Sequence, residues 1–238
     1  MLLNLVASGR GPRSALLVHG MCGSSESWGA VTDRLIDSGY RVLAVDLPGH
    51  GFSPRDEATS VSAAAKAVVE TVSTSVSGPL TVAMGHSYGG SVLAAAVGRL
   101  RPTTAVYVDA GMLIRGGQDR EALIEQYEND RRLRSQRVWL RRTRPYYDDR
   151  AIDAEARAAE RFDPATMAAV SLGDDVRWAP EPGSIVVRAN PSDWVTERSA
   201  ADLTRRGVHV REIPGAAHTV WYSHLRGFVD ALPEVFTG

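Results

Sequence analysis

The sequence predicts an α/β fold, a mostly parallel twisted sheet with helices on both faces and a helical cap inserted late in the chain. Three observations predict it. Short apolar runs alternate with helical patterns over most of the 238 residues, the rhythm of parallel strands joined by crossover helices. The stretch Met84-Gly85-His86-Ser87-Tyr88-Gly89-Gly90 lies between an apolar run and an Ala-rich helical run. Gly-x-Ser-x-Gly in that setting is the sharp strand-to-helix turn that lifts a nucleophilic serine above a sheet. A polar, Arg- and Glu-rich block from Leu113 to Trp178 then carries no strand-like run, and reads as a lid over the strand ends. The division expected is a core in two parts, 1–112 and 181–238, around a cap at 113–180.

Taken in order, Leu2 to Val6 and Ala15 to Val18 read as strands, turned at Gly9-Arg10-Gly11-Pro12 into an antiparallel edge hairpin. The small-residue loop His19 to Ser25 follows, then a helix from about Trp28 to Ser38, stopped by Gly39. Arg41 to Val45 is a buried parallel strand, and Ser60 to Ser77 a helix with Val61, Ala65, Val68 and Val72 on one face. Leu80 to Met84 delivers Ser87, and the helix behind it ends before Pro102. Ala105 to Asp109 is the next strand. Within the polar block, helices are expected over Arg120–Leu140, Asp149–Arg161 and about Ala165–Leu172. Strands at Ser184–Ala189 and Val208–Ile213, with helices near Thr196–Arg206 and Val220–Leu232, complete the chain.

Composition sets limits. A formal net charge of −1 argues against nucleic acid or an anionic membrane as partner, and points to a small molecule. Cys22 is the only cysteine, which excludes an internal disulfide and a multi-cysteine metal site. No apolar run reaches membrane-span length, and Leu2 to Ala7 lacks the basic residues of a signal peptide. The expectation is a cytoplasmic protein that needs no cofactor and no metal. Oligomeric state leaves no mark in the sequence.

A serine hydroxyl attacks only when a base takes its proton. Of the six histidines, 19, 50, 86, 209, 218 and 224, His218 stands in the small-residue loop Pro214 to Ala217 after the last strand, where open α/β sheets gather functional groups. His224 is its rival. His19 and His50 read as loop braces, His86 as turned away from Ser87, and His209 as a strand residue of the opposite face. The base needs a carboxylate to fix its tautomer, and two aspartates follow strands: Asp193, which is preferred, and Asp109, the alternative. Backbone N–H groups must meet the oxyanion; Tyr88, after the nucleophile, and Met21, in the loop after His19-Gly20, are placed for it. Asp46, before Pro48-Gly49, reads as a turn brace.

His19-Gly20 with Trp28, Asp46-Leu47-Pro48-Gly49-His50-Gly51-Phe52-Ser53, Gly85 to Gly90 and Pro214 to His218 together make the chain resemble the α/β-hydrolase superfamily over nearly its whole length. The resemblance implies an eight-stranded sheet capped after Asp109, a triad of Ser87, His218 and Asp193, and an oxyanion hole at Met21 and Tyr88. Two departures stand out. The acid turn Ala189-Asn190-Pro191-Ser192-Asp193 is one residue longer than the family's Gly-x-x-Asp, which keeps Asp109 open. The N-terminus is short for the first edge strand. Epoxide hydrolases and haloalkane dehalogenases share the Asp-Leu-Pro-Gly-His-Gly stretch but carry aspartate where this chain has Ser87, so those activities are excluded.

The leading expectation is hydrolysis of a carboxylic ester or lactone through an acyl-enzyme. A thioesterase or acyltransferase is the second, prompted by the cap arginines 131, 132, 134, 137, 141, 142 and 144, which suit a phosphate-bearing carrier or a solvated helix face paired with nearby acids. A lyase or cyclase acting on a flat aromatic molecule is the third, prompted by Trp139, Tyr146, Tyr147, Trp178, Trp194, Trp221 and Tyr222. Cap-to-core packing explains these residues as well. A binding module without catalysis loses to the presence of all three triad residue types.

Overall fold

The computed structural model describes residues 1–76 and 78–237. In chain order the elements are β1 (Leu5–Ser8), β2 (Arg13–Val18), a 3-10 turn (Ser25–Trp28), α1 (Gly29–Asp37), β3 (Tyr40–Val45), α2 (Val61–Ser75), β4 (Val82–His86) and α3 (Tyr88–Leu100). Then come β5 (Thr104–Val108), β6 (Leu113–Ile114), α4 (Arg120–Arg134), α5 (Arg137–Thr143), α6 (Asp149–Glu160), α7 (Pro164–Ala169) and β7 (Val176–Arg177). The last are β8 (Ile185–Asn190), α8 (Glu197–Arg205), β9 (His209–Pro214), α9 (Val220–Asp230) and α10 (Pro233–Phe236). The expected helix end at Ser77 lies outside the described residues.

Among the described residues the main sheet has seven strands, ordered β1-β3-β2-β4-β5-β8-β9, and β1 alone runs antiparallel. It is therefore one strand short of the eight that the resemblance implies. The expected β1–β2 hairpin is not formed: β1 pairs with β3, Leu5 opposite Val45, and β2 enters the sheet between β3 and β4. Gly11 explains how the chain can cross there, because a Cβ on it would overlap the backbone of Gly39.

Strand residues alternate between the two faces even where both are buried. Leu16, Val18, Leu43 and Val45 pack with α2 and α3, whereas Ala15, Leu17, Val42 and Ala44 pack with α1 and α9. On the second face Trp28 stacks on Trp221 with ring centroids 4.0 Å apart. Helix starts follow from short polar side chains: Ser60, Asp119, Asp148, Asp163 and Thr196 each accept a backbone N–H at the head of their helix.

The Leu113–Trp178 block does contain strand. β6 and β7 form a two-stranded antiparallel ribbon, Leu113 opposite Arg177, that closes the neck of the helical segment α4–α7. Two residues are too few to show alternation in sequence. The single helix expected over 120–140 is two, because Ser135 and Gln136 both turn side-chain donors onto the Arg132 carbonyl and end α4 there. The segment is tied to the core by Arg157 and Arg161 on Glu26, at 2.6 and 3.2 Å, and by Arg150 on Asp33. None of the described helices is long and apolar enough to cross a membrane.

The sheet order places the site. From β2 the chain passes to β3 on one side and then returns to β4 on the other, so the order reverses between β2 and β4. In an open α/β sheet ligands bind at such a point, beyond the carboxyl ends of the strands. The loop after β2 and the turn after β4 meet there.

Candidate active site

Ser87 occupies the apex between β4 and α3 with φ 50° and ψ −120°, a region where a non-glycine residue costs about 1–3 kcal/mol. Its neighbours hold it there. A Cβ at Gly85 would lie 2.5 Å from the Gly89 carbonyl oxygen, and one at Gly89 would overlap the carbonyls of Val18 and His19. The Ser87 N–H donates to the Val108 carbonyl at 3.0 Å, anchoring the turn to β5.

The loop after β2 is built around His19. Its Nδ1 lies 2.7 Å from the Gly20 carbonyl and its Nε2 accepts the Leu47 N–H at 2.9 Å, which fixes a neutral ring protonated on Nδ1. Asp46 accepts from the Ser25 and Phe52 N–H groups and from the Asn4 amide, at 2.6, 2.9 and 2.8 Å, and so braces two loops. Gly20 packs so closely on His86 and Ser87 that a Cβ there would sit 2.8 Å from His86 Nδ1. Met21 follows, beside Ser87 on the same cavity wall, and its N–H has no backbone acceptor among the described residues. Tyr88 opens α3, so its N–H is one of the orphan donors of a helix start.

His218 lies in the loop between β9 and α9, half-exposed, with Nδ1 2.8 Å from Asp109 Oδ2. Asp109 is buried beyond the end of β5 with φ 43°. Its Oδ1 accepts the Ala189 N–H at 3.2 Å and the Ser192 hydroxyl at 2.7 Å. Asp193 is exposed, and among the described residues it makes no hydrogen bond to His218. The structure thus pairs His218 with Asp109 and sets Ser87, Tyr88 and Met21 on one cavity. His86, next to Ser87, links the two groups, its ring centroid 4.7 Å from that of His218; Asp193 lies outside both. Ser192 explains the exchange. Its oxygen accepts the Trp194 and Val195 N–H groups at 3.1 and 2.9 Å, a side-chain turn that points Ser192 inward and the next residue outward.

Three residues complete the frame: Ser192, which the sequence did not single out as a site residue, and His86 and Trp194, which it named without a place beside the base. Ser192 orients Asp109. The Nε2 of His86, 3.0 Å from the His218 carbonyl, holds the loop that carries the base. Trp194 lays its ring 5.1 Å from that of His218 and lines the cavity beside Ser87. His224 faces Ser223 at 3.0 Å, at a kink in α9.

Burial holds His19, His50 and His86 neutral, pushing each below the ordinary imidazole value and His50 to about 3. The unfolded chain takes up these protons near pH 6.5 and the folded chain refuses them, so stability is full above that value and is lost as pH falls from about 6.5 toward about 3. His50→Phe is expected to flatten the stability curve between pH 6 and 4.5 by about 1.4 kcal/mol per pH unit, measured by urea denaturation across that range.

Ser87, Tyr88, Met21 and Trp194 share a cavity of ≈ 250 Å³ roofed by residues of α4 and α7. A model of the family described as "Alpha/beta hydrolase family" matches residues 15–231. Methyl jasmonate esterase 1 of Vitis vinifera is 32% identical over 104 residues, 42% of this chain and 40% of that protein. Esterase YbfF of Escherichia coli is 34% identical over 80 residues, 34% of this chain and 31% of that protein. The alignments thus span well under half of either relative. The solved structure of an esterase from Exiguobacterium antarcticum superimposes with a TM-score of 0.76 at 15% identity, covering 99% of this chain and 96% of that one.

Proposed function

The chain belongs to the alpha/beta hydrolase family, and from that premise we propose that it is a serine hydrolase that cleaves carboxylic esters through an acyl-enzyme on Ser87. The observation that carries this is the contact of His218 Nδ1 with Asp109 Oδ2 at 2.8 Å, in a chain whose Ser87 is held at the apex of a strained turn next to His86, which reaches the His218 carbonyl at 3.0 Å. With Nδ1–H donated to Asp109, Nε2 is left as the free acceptor, which is the tautomer a general base requires.

Ser87 Oγ attacks the ester carbonyl carbon as its proton passes to His218 Nε2. The backbone N–H groups of Met21 and Tyr88 receive the oxyanion. His218 then returns the proton to the departing alcohol oxygen, leaving the acyl group on Ser87. A water molecule, deprotonated by the same Nε2, attacks the acyl carbon and releases the carboxylic acid with Ser87 restored. Asp109 stays ionised throughout and steadies the imidazolium. The helices of 113–180 serve as the lid that shields this chemistry from bulk water.

The thioester reading has less support. Of the seven cap arginines, Arg131, Arg134, Arg137 and Arg141 already pair with Glu128, Glu155, Asp153 and Asp149. The aromatic argument for a lyase or cyclase weakens similarly, since Tyr147, Tyr222 and Trp221 form one edge-to-face chain between the lid and the core. An activated serine is tested by a fluorophosphonate probe read by intact mass. Wild type is expected to gain one adduct and Ser87→Ala none, and an unlabelled wild type would remove the proposal. Ser192→Ala is expected to lower kcat roughly tenfold, the loss of one hydrogen bond to a carboxylate, with Ser192→Thr restoring it in steady-state assays.

A further inference from the structure

The cavity beside Ser87 narrows the substrate class, an inference that rests on the ester-hydrolase reading. Much of its wall is apolar: Met21, Leu113, Ile114 and Met167. Besides Ser87, four hydroxyl-bearing residues, Tyr88, Ser91, Tyr127 and Ser171, interrupt that wall.

Tyr88 and Tyr127 are only 8% and 7% exposed, and neither phenol oxygen has a hydrogen-bond partner among the described residues. They are nevertheless not sealed. Among the described residues the fully occluded, partnerless side-chain atoms are Trp28 Nε1, His50 Nε2, Thr59 Oγ1, Arg188 Nε and Tyr222 Oη. What these two tyrosines expose therefore includes the hydroxyl, and the space both of them border is the cavity. Burial pushes both phenols up, so they remain protonated donors at neutral pH. Ser91 stands one helical turn beyond Ser87. Its Oγ accepts from Trp178 Nε1 at 2.9 Å, and its own proton has no acceptor among the described residues. The one charged group on the wall, Arg115, is solvent-exposed and faces Asp175 at 3.6 Å.

A buried donor without an acceptor penalises any ligand that cannot supply one. We propose that the substrate is an uncharged, oxygenated ester, whose cavity-filling part carries an ether, ketone or hydroxyl oxygen that accepts a hydrogen bond from Tyr127. Tyr88 and Ser91 are the flanking donors. The cavity offers ≈ 250 Å³ for that part.

The test compares two isosteric ester series, one with an ether oxygen in the chain and one with a methylene in its place, the variable chain being set in turn on the acyl and the alcohol side. Wild type is expected to favour the oxygenated ester in kcat/KM on one of the two sides by roughly tenfold or more. Tyr127→Phe is expected to bring that ratio close to one. Affinities of the same intact esters for Ser87→Ala and for Ser87→Ala/Tyr127→Phe, by calorimetry, give the comparison without turnover. Preferential binding through Tyr127 with no hydrolysis by wild type would sustain the pocket assignment and overturn ester hydrolysis. Hydrolysis of both series at equal rates, unaltered by Tyr127→Phe, would overturn the pocket assignment and leave ester hydrolysis standing.

Discussion

Ser87→Ala is expected to lower ester hydrolysis by about four to six orders of magnitude in kcat while leaving the fold intact. The size follows from what is lost: without Oγ no acyl-enzyme forms, and only the oxyanion donors and the binding pocket remain. Alanine should be accepted at the apex, because the strain at φ 50° is imposed by Gly85, Gly89 and β5 rather than by the hydroxyl. Kinetics on an aryl ester, with circular dichroism to confirm folding, measure both parts. Retention of more than a hundredth of the wild-type kcat in a folded Ser87→Ala protein would rule out Ser87 as the nucleophile.

Asp109→Asn is expected to cost about 10⁴ in kcat, because an asparagine amide can present a donor to Nδ1 and so favour the wrong imidazole tautomer. Asp193→Asn is expected to stay within about twofold of wild type, since its side chain is exposed and a surface change of this kind costs little. The paired experiment asks which of two strand-end aspartates acts behind the base, and the opposite ranking would reverse the assignment.

That assignment also marks where legibility in the sequence ended. Ser87 and His218, the proposed nucleophile and base, could be named because each depends on local pattern: a strand, glycines at fixed offsets and a helix for one, a small-residue loop after the last strand for the other. The carboxylate that His218 meets depends on distance across the sheet. His218 leaves β9, passes the end of β8 and meets a residue from β5, and no run of neighbouring residues encodes that reach. Chain order could not decide, because both aspartates lie between Ser87 and His218. Ser192, one position before the preferred acid, held the information in its side-chain turn.

The same limit explains the errors in the fold. Leu5 to Val45 is a non-local pairing, whereas a glycine-rich turn between two apolar runs reads locally as a hairpin. Met21 and Tyr88 were legible as positions only. What readies the loop for Met21 is the pair of contacts His19 makes to Gly20 and Leu47, and those need the folded neighbour.

Drawing the carboxylate from β5 rather than from the loop after β8 separates two duties. In the proposed mechanism proton relay falls to Asp109, held by the backbone of β8, and to His218, whose carbonyl is held by the His86 side chain. The β8 loop keeps only a hydroxyl in that relay and is otherwise free to carry Trp194, half of which stands open to solvent at 52% exposure. Substitution at 194 can therefore reshape what enters the cavity and reach His218 only through its ring contact at 5.1 Å, while Asp109 keeps its own partners. On the ester-hydrolase proposal, selection for a new substrate could act on that one aromatic wall and leave the β5 carboxylate in place.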